Sequence, residues 1–134
     1  MTRHKIRENI FRILFESGFH DAEEFDRQFD NYIECIDEEP TEEEIDEMRK
    51  KVLAVKAKIE DIDPLIADSA KGWKLNRISN ADLNIMRLAI YEILYDDDVP
   101  MKVAINEAVE LAKVYGMDNS PSFINGILSK VVSE

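Results

Sequence analysis

The sequence predicts an all-α protein, a compact bundle of about seven helices formed by residues 1–134 as a single domain. Three observations favour this class. The chain has 134 residues, a length that matches one domain, and 45% of them are hydrophobic, which is enough for a sizeable core. Only 4 glycines and 4 prolines are present, too few for the many turns of an all-β domain. Apolar residues also recur at intervals of three and four, the period of a helix with one buried face.

Seven segments combine this helical spacing with capping signals at their ends. They run over about 3–17 and 22–36, from a cap at Thr41 to about Ile59, from Asp63 to about Lys71, from a cap at Ser79 to about Leu94, from Pro100 to Tyr115, and from Ser120 to about Val131. The segment after Ser79 is apolar on most sides, which predicts that it lies in the centre of the bundle.

Particular residues predict three of these boundaries. Gly18 is expected to end the first helix in the left-handed conformation. Thr41 and Glu44 have the spacing of a capping box, in which each side chain bonds the other residue's free backbone amide. Asp63 and Pro64 are interpreted as the cap and the first-turn proline of a short fourth helix.

Cysteine usage and the amino-terminal residues predict a soluble, cytoplasmic protein. Cys35 is the single cysteine, so no intramolecular disulfide can form, and we expect Cys35 to be a small core residue. The first residues are polar and lack the apolar core of a signal peptide. Apolar runs such as Leu88 to Tyr91 are only a few residues long, whereas a transmembrane helix needs about 20. We therefore expect no membrane association.

The net charge of −12 is concentrated in one block of the chain. Residues 21–63 carry six basic and seventeen acidic side chains, for −11, and residues 64–134 add −3. Residues 1–20 have four Arg or Lys against two Glu, for +2. Because nucleic-acid binding needs clustered basic side chains, the amino-terminal end remains a candidate despite the acidic total.

Residues suited to catalysis or metal binding are scarce. His4 and His20 are the only histidines, and neither has the Glu-x-x-His spacing of a di-metal carboxylate bundle. The acidic runs 61–63 and 96–98 do not open a calcium-binding loop with its central glycine and final glutamate, so we interpret them as solvated turns. The sequence thus predicts no enzyme, no cofactor and no metal site.

The first helix carries the most informative surface. A turn of about 100° per residue places His4, Arg7, Phe11 and Phe15 along one line beside the buried stripe. Further cations surround this line: Arg3, Lys5 and Arg12. Positive side chains for phosphates and flat rings for bases indicate a single-stranded RNA surface. The alternative is that both phenylalanines widen the core contact while the charges only keep the helix end solvated.

Residues 98–113, with the sequence DVPMKVAINEAVELAK, resemble the signature of the NusB family of bacterial transcription antitermination factors. Other segments agree in order and spacing: Leu88–Glu92, Tyr115-Gly116 followed by Ser120, and Phe123–Leu128. Trp73 has a plausible family position, and residues 3–8 match the family's basic amino terminus. Residues 20–70 match only in helical pattern.

The resemblance implies an all-helical, NusB-like fold that binds the boxA element of nascent RNA together with the ribosomal protein NusE. The complex would then modify elongating RNA polymerase, with ribosomal RNA transcription as the process served. By position, the family's RNA contacts correspond to Arg3, His4, Lys5, Arg7, Phe15, Arg87, Tyr115 and Phe123. Candidates for contact with NusE or RNA are Asp82, Asp118 and Asn119. For each aromatic residue, packing in the core is the alternative interpretation.

Two groups of residues receive structural interpretations. Asn106 and Asn125 lie in otherwise apolar helices, where an unpaired buried amide costs about 1–3 kcal/mol, so we expect both to be hydrogen-bonded inside the bundle. Gly126 is expected to allow close helix approach, and Glu107 to form a solvent-facing pair. The acidic block repels phosphate and is expected to face away from RNA.

Three other functions remain open as alternatives. An acidic protein of the same fold would act as a scaffold that binds protein partners or self-associates, for example as a homodimer, without specific RNA binding. The RNA-binding domain of a ribosomal RNA methyltransferase shares the fold, but no cofactor-binding α/β domain is present in these residues. A small hydrolase would need two ionisable side chains converging in a pocket.

Overall fold

The computed structural model describes residues 1–72 and 74–133, and these ranges contain seven α-helices, two short 3₁₀ helices and no strand. Trp73, which the family resemblance includes, lies outside the described residues. The α-helices are α1 (Arg3–Ser17), α2 (Phe25–Cys35), α3 (Glu42–Ala57), α4 (Ile59–Ser69), α5 (Asn80–Tyr95), α6 (Met101–Tyr115) and α7 (Ser120–Ser133); the 3₁₀ helices are Ala22–Glu24 and Leu75–Arg77. The all-α prediction with about seven helices is confirmed.

The chain contacts form two compact units, Met1–Lys56 and Ala57–Glu134. In the first unit the helices bury one apolar stripe each, including Ile13, Phe29, Met48 and Val52, all at most 1% exposed. The capping box at the start of α3 is confirmed. The Thr41 amide donates to the Glu44 carboxylate at 2.9 Å, and the Glu44 amide donates to the Thr41 hydroxyl at 3.1 Å.

The predicted end of α1 at residue 17 is confirmed, but the predicted conformation of Gly18 and the predicted start of the fourth helix are wrong. Gly18 has a φ of −65°, so it continues the right-handed conformation instead of reversing it. The fourth helix begins at Ile59, and Pro64 lies inside it and not in a first turn after Asp63. A start at Asp63 would leave Ile62 outside the helix, and Ile62 is fully buried in this position. The free energy gained by burying this apolar stripe thus exceeds the cost of the backbone hydrogen bond that the Pro64 nitrogen cannot donate.

In the second unit α5 is the central helix, as predicted. Nine of its residues are buried, and it packs against α4, α6 and α7. The Ser79 hydroxyl caps it by accepting from the Asp82 amide at 3.1 Å. Small residues on α6, among them Ala104, Ala108 and Ala112, are buried and allow α6 to lie close to its neighbours. None of the described helices has the length and apolar character needed to cross a bilayer.

Several predicted core residues are instead exposed. The buried stripe of α2 runs through Phe29 and Tyr32. Cys35 is the last residue of α2 and lies about 60° around the helix axis from Tyr32, beside this stripe, so it is exposed. Asn106 lies about 200° round α6 from the buried Ala104, so its amide faces solvent and needs no internal partner. Asn125 is likewise exposed on α7.

The expected close approach at Gly126 is also wrong. A Cβ atom built there would meet no atom within 4 Å. Gly126 therefore leaves open space beside α7 where a side chain would otherwise lie.

Candidate functional site

The basic amino-terminal end of α1 is exposed but is paired with carboxylates. Arg3 and His4 are exposed, and Arg7 is half-buried. The Arg3 guanidinium lies 2.6 Å from the Glu47 carboxylate, with 68% of the Arg3 side chain still accessible. This hydrogen bond raises the pKa of Arg3, which keeps its positive charge fixed.

Lys5 has two acidic neighbours in the same unit. Its ammonium lies 2.8 Å from the Glu8 carboxylate and 4.0 Å from that of Glu38. Glu38 and Glu47 both belong to the acidic block, so part of this block lies beside the cations of α1 that the sequence predicted to contact RNA. The physical reason is charge complementarity, since opposite charges in one small unit lower the energy by pairing.

Aromatic side chains continue along α1 from the core to the surface. Phe11 is 2% exposed, so the alternative interpretation as a core residue is confirmed for it. Phe15 is half-buried, and its ring centroid lies 6.2 Å from that of Phe11 and 5.5 Å from that of Phe19. Phe19 is 64% exposed. Flat rings are therefore accessible at the carboxyl end of α1, where Phe15 and Phe19 form an edge-to-face pair.

A polar network beneath this surface fixes α1 against α2. Asn9 is fully buried, and its carbonyl accepts a hydrogen bond from the Tyr32 hydroxyl. The Asn9 amide donates to the Lys5 carbonyl at 3.0 Å. Arg12 lies over the Tyr32 ring, 5.5 Å from its centroid. Buried hydrogen bonds thus fix the position of the helix that carries these basic residues.

A groove of about 500 Å³ runs beside Arg12 and Tyr32. Its lining mixes the cations with acidic side chains, including Lys5, Arg12, Arg27, Glu16, Glu24 and Glu38. Because the opposite charges are interleaved, the groove has no single electrostatic sign that would select a phosphate.

In the second unit, Arg87 forms a two-pronged ion pair. Its Nε and Nη2 atoms donate to the two Asp63 oxygens at 2.8 and 2.7 Å, and both side chains are 17% exposed. This geometry joins α5 to α4. The guanidinium predicted to contact RNA is therefore already engaged by a partly buried carboxylate.

The loop between α6 and α7 is built around a buried hydroxyl. Ser120 accepts from the Met117 amide at 2.9 Å and donates to the Asp82 carboxylate at 3.0 Å. Asp82 is 8% exposed, and burial raises the pKa of its carboxyl. Asp118 and Asn119 are exposed at the tip of this loop. Of the three residues predicted to contact NusE or RNA, Asp118 and Asn119 are therefore accessible, whereas Asp82 is buried and holds the loop through its hydrogen bond with Ser120.

Tyr115 and Phe123 flank the same loop, at the end of α6 and in the first turn of α7, and both are half-buried. Beside Phe123 lies a second groove of about 250 Å³ between the end of α4 and α7. It is lined by Ser69, Ala70, Lys71, Ser122, Phe123, Gly126, Ile127 and Lys130. We call this the α4–α7 groove.

A comparison with models of protein families matches residues 4–133 to the NusB family. The chain belongs to the NusB family. It is 49% identical over 132 residues to the transcription antitermination protein NusB of Lachnoclostridium phytofermentans, an alignment that covers 98% of this chain and 99% of that protein. The protein of the same name from Agathobacter rectalis is 48% identical over 133 residues, with 97% and 98% covered.

Among solved structures, T. maritima NusB has the same fold, with a TM-score of 0.85, 35% identity, and coverage of 100% of this chain and 92% of that chain. The resemblance drawn from residues 98–113 is thus confirmed. The predicted function as a transcription antitermination factor is confirmed by NusB relatives with that name that match nearly the whole chain.

Sequence reasoning missed two features of this NusB-family site. Phe19 continues the four-residue spacing of Phe11 and Phe15, a signal that was available but was hidden by the helix end at Gly18. Ser69 and Lys130 meet although they are 61 positions apart, and no local pattern predicts such a meeting.

Proposed function

We propose that this NusB-family protein binds boxA-type single-stranded RNA together with the ribosomal protein NusE. The complex then acts on elongating RNA polymerase, including during ribosomal RNA synthesis. In this proposal residues 1–134 work as one RNA- and protein-binding domain in the cytoplasm, without a catalytic step or a cofactor. Support for a role in antitermination comes from the names of the relatives.

The observation that carries RNA binding is the accessible basic end of α1. Arg3 and His4 are exposed and Arg7 is half-buried, all within the first two turns. Arg and Lys neutralise phosphates, and exposed rings such as Phe19 stack with unpaired bases. Both chemistries are present on α1 and the turn that follows it.

The carboxylates beside these cations make RNA binding conditional. Glu47 holds Arg3, and Glu8 with Glu38 holds Lys5, so a phosphate must displace or outcompete these ion pairs. Exposed ion pairs contribute at most about 1 kcal/mol, which an RNA phosphate can overcome. We therefore expect weak binding by this protein alone and stronger binding when NusE adds contacts to the same RNA.

For the partner, the exposed Asp118 and Asn119 at the α6–α7 loop are the proposed contact residues. Asp82 would act indirectly, because its carboxylate accepts the hydrogen bond that holds Ser120 at the base of this loop. Arg87 would contact RNA through those guanidinium N–H groups that its ion pair with Asp63 leaves available.

A gel-shift experiment tests this function. The protein is titrated against a boxA oligonucleotide and a scrambled oligonucleotide of the same composition, each with and without NusE. We expect stronger retardation of boxA, and a larger preference when NusE is present. Equal retardation of the two RNAs under both conditions would rule out specific recognition and leave a protein-binding scaffold.

A further inference from the structure

We propose that the groove beside Arg12 and Tyr32 binds a small zwitterion, a molecule with an ammonium group and a carboxylate, of the size of a short peptide. We call it the α1–α2 groove, because both helices line it. The guanidinium groups of Arg12 and Arg27 bind the carboxylate. The Gln28 amide oxygen and the Glu16 carboxylate accept from N–H groups of the ligand. The volume of about 500 Å³ lies within the range of about 300–1,000 Å³ typical of small-molecule sites. This site does not depend on the proposed RNA binding.

An unsatisfied amide oxygen in the wall of the groove is the first reason. Gln28 is 8% exposed, and its Nε2 donates to the Ile13 carbonyl at 3.2 Å, which joins α2 to α1. Its Oε1 has no hydrogen-bond partner among residues 1–72 and 74–133. A buried acceptor without a partner is costly, so Gln28 beside this groove indicates a ligand that brings an N–H donor.

Two guanidinium groups without a carboxylate partner are the second reason. In the first unit, Arg3 and Arg49 each pair with a carboxylate. Neither Arg12 nor Arg27 does so within the described part of the chain, although both line a groove that also contains acidic side chains. In a chain of net charge −12, guanidinium groups left unpaired beside one groove favour a carboxylate of a ligand, with which arginine forms strong, bidentate hydrogen bonds.

The acidic side chains of the groove are the third reason, because they favour a zwitterion over a simple anion. Glu16 is half-buried and lies one turn after Ile13, whose carbonyl holds Gln28. Its carboxylate has no ion-pair partner among the residues that the structure describes. A carboxylate at this position repels a phosphate and attracts an ammonium group. Three further acidic residues line the groove and add to this preference: Glu24, Asp37 and Glu38.

Cys35 provides a readout of occupancy, because this single cysteine of the chain is exposed and lines the groove. The rate of its reaction with iodoacetamide is measured at increasing concentrations of triglycine, the probe, and of glycine. We expect a saturable decrease of this rate. Protection by triglycine alone assigns a short peptide as the ligand, and protection by glycine at equal concentrations assigns a free amino acid.

Two modified probes test the two charged groups of the ligand. N-acetyl-triglycine lacks the ammonium group, and triglycine amide lacks the carboxylate. Each is expected to bind at least about tenfold more weakly than triglycine, because one charge-assisted hydrogen bond is lost. Inorganic phosphate serves as the simple anion and is expected to give no protection.

Variants of the protein test the groove residues. Arg27→Ala removes an exposed guanidinium group of the groove, and Arg77→Ala removes an exposed one outside it. Gln28→Met replaces the unpaired oxygen with a flexible apolar side chain. We expect Arg27→Ala and Gln28→Met to weaken triglycine binding at least about tenfold and Arg77→Ala to leave it unchanged. Circular dichroism checks that the variants are folded.

A relocated cysteine controls for effects of the probe on the reagent. In the double variant Cys35→Ala, Ser129→Cys, the thiol lies at an exposed position of α7 outside the groove. Triglycine is expected to leave its reaction rate unchanged.

Three results would overturn the inference. In the first, neither triglycine nor glycine slows the reaction of Cys35. In the second, triglycine and its N-acetylated form protect equally, or inorganic phosphate protects instead, in which case the groove is an anion site. In the third, Arg27→Ala binds triglycine as Arg77→Ala does. None of these results bears on RNA binding, since no RNA is present in the measurements.

Discussion

Replacing Gly116 by alanine is expected to destabilise the protein, although the backbone of Gly116, with φ −96°, is one that alanine adopts. The obstacle is space. An added Cβ would lie 2.5 Å from the Ser120 Cβ, 2.6 Å from its hydroxyl and 2.8 Å from the Ala112 carbonyl. Either α7 or the α6–α7 loop must then move.

The magnitude follows from what Ser120 holds. Its hydroxyl makes two hydrogen bonds, to the Met117 amide and to the Asp82 carboxylate, each with a net contribution of about 1 kcal/mol. Overpacking of a well-filled site adds about 1–3 kcal/mol. If both hydrogen bonds are lost, we therefore expect Gly116→Ala to lower the free energy of unfolding by about 3–5 kcal/mol.

Gly126→Ala is the matched control, since it places the same methyl group on the neighbouring helix, where nothing lies within 4 Å. Removing a glycine from a helix interior is expected to raise stability by about 0.5–1 kcal/mol. Urea unfolding followed by circular dichroism measures both variants. A Gly116→Ala variant as stable as the parent, or an equal change in stability for the two glycine variants, would contradict this prediction.

Three further variants test other parts of the site. Burial raises the pKa of Asp82, so the folded protein binds this proton more tightly than the unfolded chain, and the stabilisation is lost as pH rises through the folded-state pKa. The stability of Asp82→Asn relative to the parent should therefore increase from pH 3 to pH 7 in urea unfolding. A stability difference that does not change with pH would contradict this. Arg87→Ala leaves the partly buried Asp63 carboxylate unpaired and should cost about 2–3 kcal/mol in thermal or urea unfolding, whereas a loss below about 0.5 kcal/mol would mean that the pair is not structural. Arg7→Ala should weaken binding to boxA and to scrambled RNA together and reduce the salt dependence, unlike the exposed Lys50→Ala on α3, and an unchanged salt dependence would exclude a phosphate contact at this residue.

Features of the fold that depend on neighbouring residues were predictable from the sequence. The capping box of Thr41 and Glu44, the cap at Ser79 and the apolar surface of α5 are set by residues within a few positions, and the structure contains all three. Helical spacing did not predict burial for a residue at the edge of a buried stripe. Cys35 lies at such an edge and is exposed, because its residue type alone did not decide whether it is buried.

Features of the site that depend on distant pairing were not predictable. Arg3 and Glu47 are 44 positions apart, so no local pattern predicted that a carboxylate of the acidic block pairs with a cation of α1. The Arg87–Asp63 pair and the Asp82–Ser120 hydrogen bond likewise join different helices. Each requires the packing of whole helices before the side chains meet, so a pattern read along one helix does not contain it.

In the proposed function, the basic end of α1 and Phe123 in the first turn of α7 take part in specific RNA recognition. NMR titration of the isotope-labelled protein with boxA RNA in the presence of unlabelled NusE tests it most directly. We predict that amide shifts change on adding RNA at residues 3–7 and around Phe123, and that they saturate at lower concentrations of boxA than of scrambled RNA. Changes confined to other surfaces, or identical curves for the two RNAs, would contradict the account.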